Sequence, residues 1–124
     1  MNKKRILVVD DERDLVDSIK TELEENEYEV LTAYDGHEGL EKARKESPDL
    51  MILDLMLPKM DGHTVCGLLK RDARYAKMPI LMFTAKAHED DRRLAQEAGA
   101  DAYLTKPFNP QSLMDWIRNL LRSC

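Results

Sequence analysis

Three runs of four apolar residues constrain this chain more than any other feature: Ile6-Leu7-Val8-Val9, Leu50-Met51-Ile52-Leu53 and Ile80-Leu81-Met82-Phe83. None alternates with polar residues, so each reads as a strand covered on both faces. Helical spacings lie between and around them. Leu15, Ile19 and Leu23 recur every fourth residue, with Asp11 as a candidate N-cap; Leu40 and Ala43 mark a short helix that ends before Pro48. Val65, Leu68 and Leu69 mark a third helix, and Leu94, Ala95 and Ala98 a fourth that stops at Gly99. Asn109-Pro110 opens a fifth, with Leu113, Ile117, Leu120 and Leu121 as its apolar face. Tyr28 to Ala33 and Ala102-Tyr103-Leu104 read as weaker strands. Five strands alternating with five helices predict an α/β fold, a flavodoxin-like (βα)5 doubly wound parallel sheet. The order 2-1-3-4-5 puts the apolar runs at the centre and the two weaker strands at the edges.

The chain has 124 residues, which fits one domain over 1–124. Its net charge of -5 argues against nucleic acid or an anionic membrane as a direct partner of this domain. No apolar run approaches the ~20 residues of a membrane span. The basic start through Arg5 resembles an export signal's lead, but the apolar run breaks at Asp10, too early for one. Two cysteines, Cys66 and Cys124, make no disulfide framework, so a reducing, cytoplasmic setting is expected. Cys66 reads as a small core residue and Cys124 as an exposed end.

In such a sheet, ligands bind beyond the carboxyl ends of the strands. Asp10, Asp11 and Glu12 follow the first run, Asp54 the third strand, Thr84 the fourth, and Lys106 comes just past the fifth. Singly, each has a plain structural reading: a cap, a strand end, a solvated lysine. Asp54 fits its plain reading least, because it interrupts the apolar stretch Leu50 to Leu57 and no helix opens behind it. Together they put several carboxylates, a hydroxyl and an ammonium at one sheet edge. Two carboxylates ~4 Å apart repel by about 4 kcal/mol at an effective dielectric of 20. Such a cluster therefore calls for cations: Lys106, and a hard divalent ion with all-oxygen ligands, which points to Mg²⁺. A carboxylate beside Mg²⁺ and a lysine can act as a nucleophile towards phosphorus.

At these residues the sequence resembles the receiver domains of two-component response regulators. The resemblance rests on Ile6 to Glu12, on Asp49 to Pro58 with Asp54 inside, and on Met60-Asp61-Gly62. It continues through Thr84-Ala85 and Gly99-Ala100-Asp101 to Tyr103 and Lys106-Pro107-Phe108, and so spans nearly the whole chain. It implies that Asp54 is the phosphoacceptor, that Asp10 and Asp11 hold Mg²⁺, and that Met56 offers the ion its backbone carbonyl. Lys106 would contact the phosphoryl oxygens. Thr84 would turn towards the phosphoryl group, with Tyr103 moving inward, and the Lys106-Pro107 bond would be cis. It implies a switch rather than a turnover enzyme, catalysing only its own phosphorylation and dephosphorylation. The donor would be a phosphohistidine on a sensor histidine kinase or phosphotransfer protein, or a small acyl phosphate. The fourth helix, fifth strand and fifth helix would signal to an output partner or domain.

The chain departs from the winged-helix transcription-factor members in two places. Ala102 stands where many carry a second aspartate, and Trp116 where they tend to carry an arginine. Two ion-pair positions of that subclass's dimer are therefore absent, and Trp116 is expected to be half-buried packing or an exposed anchor. Met56 and Lys86 occupy positions that tune phosphoryl lifetime in the family. His37, His63 and His88 lack metal-ligand spacing, and Met51, Met56 and Met60 suit packing better than a copper site. Three rival readings rank lower. A phosphohydrolase with an aspartate nucleophile would show Asp-x-Asp and a cap domain. A flavin carrier would show a Ser/Thr/Gly-rich first loop. A scaffold that is never phosphorylated would not need Asp54, Thr84 and Lys106 intact.

Overall fold

The computed structural model describes residues 3–85 and 89–122. Strands β1 (Arg5–Val9), β2 (Glu29–Ala33), β3 (Leu50–Leu53), β4 (Ile80–Thr84) and β5 (Ala102–Thr105) alternate with five helices. The helices are α1 (Arg13–Glu25), α2 (Gly36–Glu46), α3 (Gly62–Lys70), α4 (Glu89–Glu97) and α5 (Pro110–Arg122). All strand pairs are parallel and the order is β2-β1-β3-β4-β5. The doubly wound fold and its strand order match the sequence reading, with the three apolar runs central.

Side-chain alternation explains why those runs are unbroken. Ile6, Val8, Leu50, Ile52, Leu81 and Phe83 pack with Val16, Ile19 and Leu23 of α1 and Leu113, Met114 and Ile117 of α5. Leu7, Val9, Met51, Leu53, Ile80 and Met82 face the other way, onto Leu40 and Ala43 of α2, Val65, Cys66 and Leu69 of α3, and Ala95 of α4. Each successive residue therefore enters an apolar layer on one face or the other. Edge strand β2 has only Ala33 fully buried.

Helix ends follow local chemistry. Asp35 accepts from Glu38 N at 2.7 Å, while the Glu38 carboxylate accepts from Tyr34 N, a reciprocal cap at the start of α2. Asp61 caps α3 by accepting from Thr64 N at 2.9 Å. Asn109 caps α5 through Ser112 N at 3.1 Å. After α4, Gly99 has φ +97, Gly99 N donates to Gln96 O and Ala100 N to Ala95 O. That is a Schellman ending built on a left-handed glycine.

One expectation needs correction. Asp11 does not cap α1; Glu12 holds the N-cap position, and its side chain makes no capping bond. The cause is Asp10, whose Oδ1 accepts the Glu12 N–H at 2.9 Å and takes over that end of the chain.

Gly62 lets α3 start hard against the loop after β3. A Cβ there would stand 2.3 Å from Asp54 O and 2.9 Å from Leu55 Cα. Gly62→Ala should therefore cost about 2–3 kcal/mol, because backbone and not a pliable side chain must give way. A lowered urea midpoint measures this, and an unchanged one would show that the contact relaxes freely.

Candidate functional site

The sheet's own hydrogen bonds place the pocket. Asp10 N donates to Ala33 O, Asp54 N to Val9 O and Lys106 N to Thr84 O, at 3.1, 3.0 and 2.8 Å. Each of these residues lies just beyond a strand end and is pinned by the neighbouring strand. All three side chains meet at the carboxyl edge. Lys106 Nζ lies 2.8 Å from Asp10 Oδ2, 2.7 Å from Glu12 Oε1 and 3.4 Å from Asp54 Oδ2. Carboxylate oxygens of Asp10, Asp11 and Asp54 all lie within 4.8 Å of one another. Asp11 is exposed, whereas Asp10 and Asp54 are only 2% and 4% exposed.

The rest of the predicted set divides in two. Thr84, fully buried at the end of β4, hydrogen-bonds Asp54 through its hydroxyl. Met56 N reaches Asp54 Oδ1 at 3.4 Å, while its side chain is exposed. Tyr103 stands apart: it pairs in register with Met82 and lies half-buried beneath the Arg92 guanidinium, 5.2 Å from its ring centroid. The Lys106-Pro107 peptide is cis. Cys66 is buried, and burial pushes its thiol up to about 11, so it behaves as an inert core residue. Trp116 is exposed rather than packed away. The readings of Lys86, His88 and Cys124 lie outside the described residues.

Burial dominates the electrostatics of the pocket. It raises the Asp10 carboxyl above its ordinary range, with the Glu12 charge adding to the effect, against Lys106 and the Glu12 N–H. Burial also raises Asp54, and the charge of Asp10 adds to the effect, against Lys106, Met56 N–H and the Thr84 hydroxyl. For Lys106, burial works to lower the ammonium's pKa, but Asp10, Glu12 and Asp54 outweigh it and hold the value above normal. Glu12 is the participant that sequence reasoning left without a role. The Asp-Asp-Glu run flagged it, but its ion pair with Lys106, 94 positions away, needed the fold.

The raised carboxyls carry a stability consequence. With a chelator present, the folded chain takes up protons at Asp10 and Asp54 at a higher pH than the unfolded chain, whose carboxylates do so at about pH 4. The contribution of these two groups to stability should therefore rise as pH falls from neutrality towards that range, while Asp35 and Asp72, whose carboxyls are held below their ordinary range by hydrogen bonds, work the other way. Urea midpoints across the range measure the slope, which Asp54→Asn should reduce. A slope unchanged in the variant would contradict the burial account.

A parallel 2-1-3-4-5 sheet with an acidic cluster at its carboxyl edge defines a flavodoxin-like α/β domain whose pocket suits cations rather than a flavin phosphate. The family model described as "response regulator receiver domain" matches residues 6–118, and the chain belongs to that family. It is 50% identical over 122 residues to the alkaline phosphatase synthesis transcriptional regulatory protein PhoP of Bacillus subtilis (strain 168). That match covers 98% of this chain and 50% of PhoP. It is 46% identical to the DNA-binding dual master transcriptional regulator RpaA of Synechocystis, covering 95% of this chain and 49% of RpaA. The chain thus spans about half the length of the curated relatives it matches. Among solved structures, a CheY-like response regulator receiver domain protein from Methanospirillum hungatei JF-1 superposes with a TM-score of 0.93 at 36% identity. That superposition covers 98% of this chain and 96% of the other. Chemotaxis protein CheY4 of Vibrio cholerae gives 0.90 at 32% identity, covering 96% and 99%. No helix among the described residues is long and apolar enough to cross a membrane.

Proposed function

We propose that residues 1–124 form one receiver domain that acts as a phosphoacceptor switch, with Asp54 taking the phosphoryl group. One observation carries this reading. The Asp54 carboxylate is buried, stands 3.4 Å from the Lys106 ammonium, and shares a 4.8 Å cluster with Asp10 and Asp11.

An Asp54 oxygen attacks phosphorus in line. The bond from phosphorus to the imidazole nitrogen of a phosphohistidine, or to the carboxylate oxygen of a small acyl phosphate, breaks, and the leaving atom keeps the electron pair. Lys106 binds the phosphoryl oxygens. Thr84 donates its hydroxyl to them, and Tyr103 follows that movement. Asp10, Asp11, Asp54 and the Met56 carbonyl would hold Mg²⁺. Asp10 Oδ2 fits this: it is buried and accepts no directed hydrogen bond, although Lys106 Nζ is 2.8 Å away. Bound Mg²⁺ would supply charge neutralisation at the phosphoryl oxygens.

The physiological donor is a sensor histidine kinase or phosphotransfer protein, and the site of action is the cytoplasm. The changed surface of α4, β5 and α5 controls an output protein or domain. PhoP and RpaA bear the names of transcriptional regulators, which supports a transcriptional output. A net charge of -5 supports leaving DNA contact to a part other than this domain.

Incubation with acetyl phosphate and Mg²⁺, followed by intact mass, tests the reading. The chain should gain one phosphoryl group, and a chelator should prevent it. Continuous release of phosphate from many small esters would favour a phosphohydrolase instead, and an unmodified chain would overturn the proposal.

A further inference from the structure

Glu12 sits at the pocket with neither an acceptor's place nor a place in the 4.8 Å carboxylate cluster. Its backbone is fixed, because its N–H donates to Asp10 Oδ1 at 2.9 Å and it occupies the N-cap position of α1. Short side chains serve that position best, since they can turn back onto the helix's free N–H groups. Glu12 makes no such bond. Its side chain, 62% exposed, instead reaches inward to Lys106 Nζ at 2.7 Å.

The plain alternative is that an acidic residue at a helix start is favoured by the helix dipole and needs no other role. That accounts for the charge but not for the reach. The Lys106 side chain is only 11% exposed, so Glu12 comes to it and not the reverse. An ammonium has three N–H donors. Three carboxylates stand around this one, at 2.7 Å (Glu12), 2.8 Å (Asp10) and 3.4 Å (Asp54). The solvent-facing carboxylate has the closest contact and the acceptor the longest. Phosphoryl oxygens arriving on Asp54 must share this ammonium with the carboxylates already gathered around it.

We propose that Glu12 is a positioning residue for Asp54 phosphorylation: it holds the Lys106 ammonium at the mouth of the pocket and competes with the phosphoryl oxygens for it. The proposal rests on the phosphoacceptor reading. Glu12→Gln removes the charge. Glu12→Asp keeps the charge but withdraws it by one methylene, out of reach of Nζ.

With acetyl phosphate and excess Mg²⁺, both variants should gain the phosphoryl group about two- to fivefold faster than wild type, the range an exposed ion pair supplies. Intact mass against time reads this. Acceleration in Glu12→Gln alone would show a field effect on the anionic donor and overturn the proposal, as would no acceleration in either variant. A second readout needs neither donor nor metal: the side-chain ¹⁵N resonance of Lys106, assigned by its loss in Lys106→Arg. It should shift in both variants, and an unmoved signal overturns the grip itself. A wild-type chain that takes no phosphoryl group overturns the parent reading and Glu12's part in phosphorylation with it. A wild-type chain that is phosphorylated at the same rate as both variants overturns only the role of Glu12.

Discussion

Asp54→Asn should keep its unmodified mass in acetyl phosphate and Mg²⁺, while the wild-type chain gains one phosphoryl group. The amide has nearly the carboxylate's shape but no anionic oxygen with which to attack phosphorus. Asp10 and Asp11 should not replace it, since neither occupies the position between Lys106, the Thr84 hydroxyl and Met56 N–H that Asp54 holds. The substitution should not harm the fold. Ionised Asp54 is disfavoured by burial and by Asp10, so the neutral amide relieves both, and without Mg²⁺ the melting temperature should equal or exceed that of wild type. Equal labelling of the variant would move the acceptor elsewhere. A clear fall in melting temperature would contradict the electrostatic account.

Lys106→Met should have the opposite effect on stability. Methionine fills part of the space of the lysine stem but brings no charge. Asp10, 2.8 Å from the ammonium, and Asp54, at 3.4 Å, would then share a buried pocket with no internal cation. Removing one partner of a buried pair leaves an uncompensated charge, and a loss of about 3 kcal/mol at neutral pH in chelator is expected. Urea denaturation measures it. Added Mg²⁺ should recover part of the loss by binding only the folded chain, and should recover more in the variant than it adds to wild type. A variant as stable as wild type in chelator would show that the carboxylates do not need the ammonium.

The central sheet was readable because its strands carry apolar side chains on both faces. Ile6 to Val9, Leu50 to Leu53 and Ile80 to Phe83 admit few other placements. The pocket was readable for a related reason: Asp10, Asp54 and Lys106 each lie just past a strand, where a doubly wound sheet collects its ligands. Contacts between distant segments were not readable. Lys70 reaches Asp101 at 2.7 Å and the carbonyls of Ala76 and Met78, a clasp at the far end of the sheet that no local pattern marks. Asp11 was misjudged as a cap because the competing bond, from Glu12 N–H to Asp10, depends on a loop conformation and not on residue type. The Asp35 and Asp61 caps lay in plain view at cap-compatible spacings, but the apolar period alone does not reveal them.

The bonds from Asp54 N to Val9 O and from Lys106 N to Thr84 O make the pocket an extension of the sheet ladder. Reactive groups and core thus share one set of fasteners. Deleting a single residue between Leu50 and Asp54 would turn the nucleophile to the reverse side of the sheet and, by the same slip, exchange the residues facing α1 with those facing α3. Length changes between α3 and β4, at the opposite rim, leave that alignment intact. Tolerance to insertion and deletion should therefore be polar along the strand axis: a shift at the far rim costs the Lys70 clasp on Ala76 and Met78, whereas a shift in β3 costs the nucleophile itself.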